Sequence, residues 1–290
     1  MLLLDLNQVM ISNLMMSLGG HKIVMDENVL RHMILNTIRS NLVKFRSEYG
    51  NDLVIACDDK NYWRKSYFPY YKANRKKNRD ASDLDWNNIF QSLNKIRDEI
   101  RDNFPYRTIQ VESAEADDII GTLCSEFGQE LGGDPILIIS GDKDFVQLQK
   151  YSNVDQYDPT RKRWLKNQRP TEYLYEHIIR GDAGDGVPNF LSEDDIFISE
   201  GRQRRVTSKK LKEWMTQLLN GVEPKDVFDS EQLRNWHRNR ALIDLEMIPD
   251  DIREQILEQY NAQENRDRSH LFNYFIANKL KNLTEKIGEF

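Results

Sequence analysis

Three short apolar runs each end in a carboxylate: Leu2–Leu4 leads into Asp5, Leu53–Cys57 into Asp58-Asp59, and Ile136–Ile139 into Ser140-Gly141-Asp142. Unbroken runs of this length read as strands buried on both faces, the kind that parallel sheets use. Between the first two, Val29, Leu30, Met33, Ile34, Ile38 and Leu42 recur at helical spacing behind Asp26 or Asn28, either of which suits a cap. That is a βαβ unit. A fourth strand is predicted at Arg107–Val111, followed by a helix that Ser113 caps and that turns Ile119, Ile120, Leu123 and Phe127 inward. The expected fold class is α/β and doubly wound, a central, mostly parallel sheet flanked by helices.

Beyond Gln156 the strand signals fade. Helical patterns at Glu172–Arg180, Lys209–Leu219, Glu231–Ile243, Asp251–Tyr260 and His270–Ile287 predict an α-helical second half, with Ala262–Ser269 polar enough for a mobile loop. The expected division is an α/β domain over 1–165 and a helical domain over 166–290. No apolar run approaches the roughly 18 residues of a spanning helix. The start, Met1-Leu-Leu-Leu-Asp5, meets an acid before a signal-peptide core forms, so export and membrane insertion are not expected. Cys57 and Cys124 lie in apolar surroundings without a spaced His or Cys partner. They read as buried thiols of a reducing, cytoplasmic compartment.

Charge is sorted along the chain. Its 41 basic and 47 acidic residues give a net charge of -6, yet Lys60–Arg79 holds Lys60, Arg64, Lys65, Lys72, Arg75, Lys76, Lys77 and Arg79 without an acid. Gly201–Lys212 is likewise acid-free, with Arg202, Arg204, Arg205, Lys209, Lys210 and Lys212, and a third cluster joins Arg161, Lys162, Arg163, Lys166 and Arg169. These are candidate polyanion contacts. The first block also carries Tyr62, Trp63, Tyr67, Phe68, Tyr70 and Tyr71. Cations track phosphates while rings stack on bases, at about 1–3 kcal/mol per base, which is how single strands are held. Lys65, Tyr71, Lys76, Lys77 and Arg79 are therefore candidate nucleic-acid contacts, and Lys72 and Arg75, three apart on one predicted helical face, suit a grip on the scissile phosphate.

In open parallel sheets, ligands bind beyond the carboxyl ends of the strands. Asp5, Asp58 and Asp142 fall there, with Asp144 two residues on. Glu115-Ala-Asp117-Asp118 places three acids where a helix begins, and Asp182 and Asp185 lie in the turn Gly181–Gly186. A lone Asp at a strand end is usually a cap or turn former, and Asp59, Asp134, Asp194 and Asp195 read that way. Nine acids at equivalent ends are another matter, because ionised carboxylates this crowded need a counter-cation. Oxygen-only donors select Mg²⁺ or Mn²⁺ over zinc, and this many of them predict two ions, the arrangement that catalyses phosphoryl transfer. His21, His32, His177, His237 and His270 show no catalytic or zinc spacing and read as surface or core residues. Trp86, Trp164, Trp214 and Trp236 read as packing anchors, and no Gly-x-Ser-x-Gly supports a serine nucleophile.

The ordered set Asp5, Asp58, Arg64, Tyr71-Lys-Ala-Asn-Arg75, Glu115-Ala-Asp-Asp118, Ser140-Gly-Asp-Lys-Asp-Phe145 and Gly181-Asp182-x-x-Asp185 resembles the flap endonuclease (5′-nuclease) superfamily. Within it the resemblance is greatest to the phage 5′-to-3′ exonucleases with ribonuclease H activity. It extends to Tyr62-Trp63-Arg64, Leu242-Ile-Asp244 with Ile248-Pro-Asp250, and the closing Leu283-Thr284 to Glu289-Phe290. It implies a PIN/5′-nuclease-like fold with a helical arch at about 60–85 and a helix-hairpin-helix-like DNA-binding region in the C-terminal half. It implies a two-metal phosphodiesterase, with Mg²⁺ replaceable by Mn²⁺, that cleaves RNA–DNA hybrids, duplex DNA and 5′ flaps and removes RNA primers during replication. Asp5, Asp58, Glu115, Asp117, Asp118, Asp142, Asp144, Asp182 and Asp185 match the metal carboxylates, Lys72 and Arg75 the basic pair of the arch, and Arg64 a phosphate-contacting arginine.

The implied partners are branched or nicked DNA, a single-stranded DNA-binding protein and a sliding clamp, met by a monomer in the host bacterial cytoplasm. One departure stands out. Where the family has an Asn-Ile-Pro-Gly turn and a Gly-rich hairpin that clamps the duplex, this chain has Asp185-Gly-Val-Pro-Asn-Phe-Leu-Ser192. The block Arg202–Lys212 is the expected substitute for backbone contact. The competing readings are a catalytically silent structure-specific DNA binder and a receiver-like phospho-acceptor, which needs neither the second acid pair nor the arch.

Overall fold

The apolar runs form the centre of the molecule in a computed structural model, which describes residues 1–18, 26–80, 84–199, 201–264 and 266–290, without the side chains of 17, 18, 76–78 and 80. They are β1 (Leu2–Asp5), β2 (Leu53–Ala56) and β4 (Ile136–Ile139), joined by β3 (Arg107–Ile109), β5 (Val154–Asp158) and β6 (Arg163–Leu165). The sheet order is β3-β2-β1-β4-β5-β6, parallel from β3 to β5, with β6 antiparallel at one edge. Chain order reverses direction between β1 and β4, so the topological switch point lies where Asp5 and Ser140 leave the sheet.

The two-residue strand period divides the leucines and isoleucines between two cores. Leu2, Leu4, Leu53, Ile55, Leu137 and Ile139 face α1 (Leu6–Leu18), α2 (Glu27–Tyr49) and α5 (Trp86–Asn103). Leu3, Val54, Ala56, Ile136 and Ile138 face α6 (Ala116–Phe127) and the 3₁₀ turn Asp144–Lys150. Two further short helices, α3 (Trp63–Tyr67) and α4 (Ala73–Asp80), build the basic segment. Then α7 (Pro170–Arg180), α8 (Ser208–Leu219), α9 (Pro224–Val227) and α10 (Ser230–Ile243) enclose a third core around Phe190, Trp214, Phe228 and Trp236, into which Phe68 and Tyr71 insert. The chain then returns to the sheet. Ile252 and Ile256 of α11 (Asp250–Ala262) pack beneath one face, while Leu271, Tyr274 and Phe275 of α12 (Leu271–Ala277), Leu283 of α13 (Lys281–Thr284) and Phe290 pack on the other.

Several local expectations change. Asp26 caps α2, accepting from the amides of Asn28 (2.8 Å) and Val29 (3.3 Å). Ser113 does not cap α6: its φ is 63°, and the cap position is Glu115. The periodicity of β5 is masked because its buried positions include Gln156 and Asp158, which bond the neighbouring backbone, and β6 is a short, largely exposed strand with no apolar run. The basic cluster at 161–169 therefore surrounds an edge strand. Helix His270–Ile287 is broken, since Lys279 takes a positive φ of 55°. A long connection from Gly181 to Thr207 separates α7 from α8. His21 lies outside the described residues, as do the side chains of Lys76 and Lys77.

Candidate metal centre and nucleic-acid interface

Each strand end delivers an acid to the switch point. Asp5 ends β1, where its carboxylate accepts from the Gln8 amide (3.0 Å) and the Ser140 hydroxyl (3.2 Å). Asp58 follows β2, accepting from the Ala116 amide at the start of α6 (2.7 Å) and from the Asn7 side chain. Asp142 follows β4, and its position is set by Gln156, which donates to the carbonyls of Ser140 (3.0 Å) and Asp142 (2.6 Å), and by Gln8, which accepts from Gly141 (2.6 Å). Asp117 projects from the first turn of α6 toward Asp142 and Asp5.

Burial raises Asp5, Asp58 and Asp117, and neighbouring carboxylates add to the effect while Lys72 opposes it at Asp58 and Asp117. Asp5 is pushed up to about 7 by burial, then by Asp58 and Asp142. Asp117 is raised well above the carboxylate range by burial and then Asp142, and Asp58 is raised chiefly by burial. Such a group is a poor anion by itself and a good host for a divalent cation.

A second cluster lies one turn away. Asp144 opens the 3₁₀ turn and is raised to about 7 by burial and Asp142. Asp182 accepts from the amides of Gly184 (2.7 Å) and Asp185 (3.1 Å) and from His177 Nε2 (3.3 Å), the last of which holds its carboxyl down at about 2. His177 Nδ1 meanwhile lies 3.4 Å from Asp144 Oδ1. Among the described residues, Asp144, His177 and Asp182 each offer a ligand atom within 4.8 Å of the others. The donors are hard oxygens plus one imidazole, and Asp144 Oδ1 is a buried oxygen with no hydrogen-bond donor. Both clusters suit divalent cations by this chemistry.

The basic segment is tied to these acids. Lys72 has a φ of 55°, so it precedes α4 rather than sharing its face with Arg75. Its Nζ contacts Glu115 and lies 3.5 Å from Asp185, and Arg75 pairs with the same Asp185. Backbone joins them too: Lys72 N donates to Asp185 O (2.7 Å) and Asn74 Nδ2 to Ala183 O (2.9 Å). Burial opposes the Lys72 charge, but Tyr71, Glu115 and Asp185 more than offset it and hold the ammonium charged.

Residues 20–176 match the family model of the 5′-3′ exonuclease N-terminal resolvase-like domain, and residues 171–290 match the model described as T4 RNase H, C terminal. The chain is 32% identical over 298 residues to ribonuclease H of Enterobacteria phage T4, covering 99% of this chain and 95% of that protein. It belongs to the 5′-3′ exonuclease family, in its T4 ribonuclease H branch. The solved fold of bacteriophage T5 flap endonuclease, in a pseudo-enzyme–product complex with DNA and metal ions, aligns with a TM-score of 0.62 at 16% identity over 91% of this chain and 99% of that one. T5 5′-exonuclease with bound zinc aligns at 0.60 and 15% identity over the same shares.

In this 5′-3′ exonuclease, a hydrolytic nuclease of flap-endonuclease type, three expected contacts lie elsewhere than anticipated. Arg64 is 2% exposed: its guanidinium pairs with Glu115 (2.9 Å) and Asp118 (2.7 Å) and donates to Leu242 O (2.9 Å), so it braces the acids from within instead of facing a groove. Asp118 is fully buried, ion-paired with Arg64 and accepting from Trp63 Nε1 (3.1 Å) and the Glu115 amide (2.9 Å), so it turns inward, away from the acidic rim. Tyr71 is buried, with its hydroxyl 3.1 Å from both Glu115 and Asp185, where it cannot stack on a base. Lys65, Arg202, Arg205, Lys209 and Lys210 are exposed, Arg79 lies over the Phe90 ring, and Arg204 pairs with Glu193 and Glu231. His177 was passed over in the sequence because nothing near it in the chain except Asp182, five residues on, marks it.

Proposed function

We propose that this nuclease hydrolyses phosphodiester bonds at 5′ ends and 5′ flaps of duplex DNA and RNA–DNA hybrids with two Mg²⁺ ions, Mn²⁺ substituting, and removes RNA primers from lagging-strand fragments in phage DNA replication. The observation that carries this reading is the convergence, at one sheet switch point, of acids from separate chain segments whose burial drives Asp5 and Asp144 to about 7. Asp5, Asp58, Glu115, Asp117 and Asp142 would hold one cation, and Asp144, Asp182 and Asp185 the other. When bound, the ions supply activation of the attacking water and charge stabilisation of the leaving oxygen.

The chain's own groups do the rest. Lys72 and Arg75, already placed beside Glu115 and Asp185, neutralise the phosphate that enters between them and the acids. Arg64 keeps Glu115 in place from behind. Exposed Lys65, Arg202, Arg205, Lys209 and Lys210 contact backbone phosphates without sequence preference, Arg204 joining them by releasing Glu193 and Glu231. Helical surface beyond residue 166 is the proposed docking face for a single-stranded DNA-binding protein and a sliding clamp, with the enzyme a monomer in the bacterial cytoplasm.

The test is product length from a 5′-flapped duplex and an RNA–DNA hybrid, labelled at each end in turn, with Mg²⁺ and with EDTA. Short 5′ products that need Mg²⁺ and vanish in Asp142→Asn, while that variant still binds substrate, are the expected result. Binding without product under any divalent ion would make the protein a structure-specific binder instead.

A further inference from the structure

The second cation cluster contains a donor that the carboxylate reading did not anticipate. His177 sits in the last turn of α7, and Gly181, with a φ of 67°, turns the chain back so that Asp182 meets the imidazole. No other residue fits that turn, because a Cβ on Gly181 would come within 2.4 Å of the carbonyl oxygens of Val187 and Pro188. Both ring nitrogens are engaged on the acidic side: Nε2 at 3.3 Å from Asp182 and Nδ1 at 3.4 Å from Asp144. The Tyr173 ring, one turn back, packs edge-on against the imidazole at 5.9 Å and limits its swing.

We propose that His177 is a direct ligand of the second cation, which makes this a mixed nitrogen and oxygen site and shifts its preference from Mg²⁺ toward borderline ions such as Mn²⁺ and Co²⁺. The inference rests on the two-cation reading above and deepens it. Three donors within 4.8 Å of one another match the span of an ion whose bonds are about 2.0–2.2 Å, after a closure of a few tenths of an ångström. Asp144 Oδ1 is buried and accepts no hydrogen bond, an oxygen with a free lone pair facing the cluster. Asp182 spends Oδ1 on the Gly184 and Asp185 amides and turns Oδ2 to the imidazole side. Imidazole binds the later first-row ions far better than it binds Mg²⁺, so one such ligand alters selectivity without displacing the carboxylates. With the ion on Nδ1, Nε2 keeps its hydrogen bond to Asp182, the arrangement that fixes a ligating ring in orientation and tautomer.

The experiment is pulsed EPR on the full chain loaded with Mn²⁺, with Mn²⁺ and Mg²⁺ titrations by calorimetry, on the natural protein and on His177→Gln. Glutamine retains an amide that reaches Asp182, and a melt without metal checks that the variant folds. The expected result is nitrogen modulation from one bound Mn²⁺ that His177→Gln abolishes, with Mn²⁺ affinity at that site falling about 10- to 100-fold and Mg²⁺ affinity changing much less. Two Mn²⁺ ions bound without nitrogen modulation, or modulation that persists in His177→Gln, overturns the assignment of His177 and leaves the carboxylate sites standing. Weaker binding without loss of a nitrogen signal likewise reduces His177 to a residue that orients Asp182. Failure of the natural protein to bind Mn²⁺ at all overturns the cation reading itself.

Discussion

At the scale of single residues, the site depends on a few buried charges that no sequence pattern distinguishes from exposed ones. Arg64 stands in an aromatic, basic run, yet its pairing with Glu115 and Asp118 is internal. Removing one partner of a buried pair leaves the other uncompensated, so Arg64→Ala is expected to destabilise the fold by about 3–5 kcal/mol in denaturant unfolding. An arginine that served only to contact phosphate would leave stability unchanged. Lys72 behaves differently, being at the edge of the cluster and beside Glu115 and Asp185, acids of the proposed cation sites. Lys72→Ala is expected to slow single-turnover cleavage by about 100-fold or more, with substrate affinity changing much less. Equal losses in both would reduce Lys72 to a binding residue.

At the scale of elements, the connection after α7 organises both the second cluster and the basic segment. Gly186, with a φ of 72°, lets the chain pass against Tyr70 O, where a Cβ would stand 2.9 Å away, and Lys72 N then bonds Asp185 O. Arg238 holds the far side of the same connection, donating to Pro188 O (3.1 Å) and pairing with Asp194. Gly181→Ala meets both a left-handed backbone and the carbonyls of Val187 and Pro188. It is expected to cost about 1–3 kcal/mol from backbone strain alone, read as a lowered Tm, and to weaken Mn²⁺ binding at Asp182 in titration. A normal Tm with normal Mn²⁺ binding would show that the loop does not need this turn.

At the scale of the whole molecule, the C-terminal helices complete the cores of the sheet. Phe290 is fully buried against Phe104 and Phe275, and Ile252 and Ile256 close the opposite face. Phe290→Ala should therefore cost about 3–5 kcal/mol, and unfolding followed by circular dichroism and by tryptophan fluorescence should coincide in one transition. Two separated transitions would mean that the halves fold independently. The acidic rim sets the response to pH. Asp5 and Asp144, at about 7, hold protons in the fold that ordinary carboxyls near 4 have lost in the unfolded chain. The folded state thus binds more protons between about pH 4 and 7, and without divalent ions its stability falls by roughly a few kcal/mol as pH rises across that window. His177, raised by the Asp182 hydrogen bond and by Asp144 against the effect of burial, acts in the same direction; Asp182, at about 2, contributes stability that is lost only below about pH 4. Divalent ions should restore stability more at pH 8 than at pH 5 in melts, and an equal effect at both would contradict the raised values.

Much of this was legible in the chain itself. The apolar runs that end in Asp5, Asp58 and Asp142 determined a parallel sheet with acids at one rim, because strand period and burial are local properties of the runs. Ordered acid motifs likewise carried the family. What only the tertiary structure decided is which neighbours each charged group meets. Asp118 and Asp117 are adjacent in sequence, but a 100° step around α6 turns one to Arg64 inside and the other to Asp142 at the rim. Tyr71 and Lys72 part in the same way, one buried among acids and the other left at their edge. Strand β5 has no apolar signature because its buried Gln156 and Asp158 gain partners only from distant or returning backbone, and β6 has none because it is a short, largely exposed edge strand. His177 carried no local signal beyond Asp182, since the pairing that defines it is made by a glycine turn and by a carboxylate 33 positions earlier, Asp144. Hydropathy periods act over a few residues and survive in the sequence, whereas charge partners are set by packing across the whole chain.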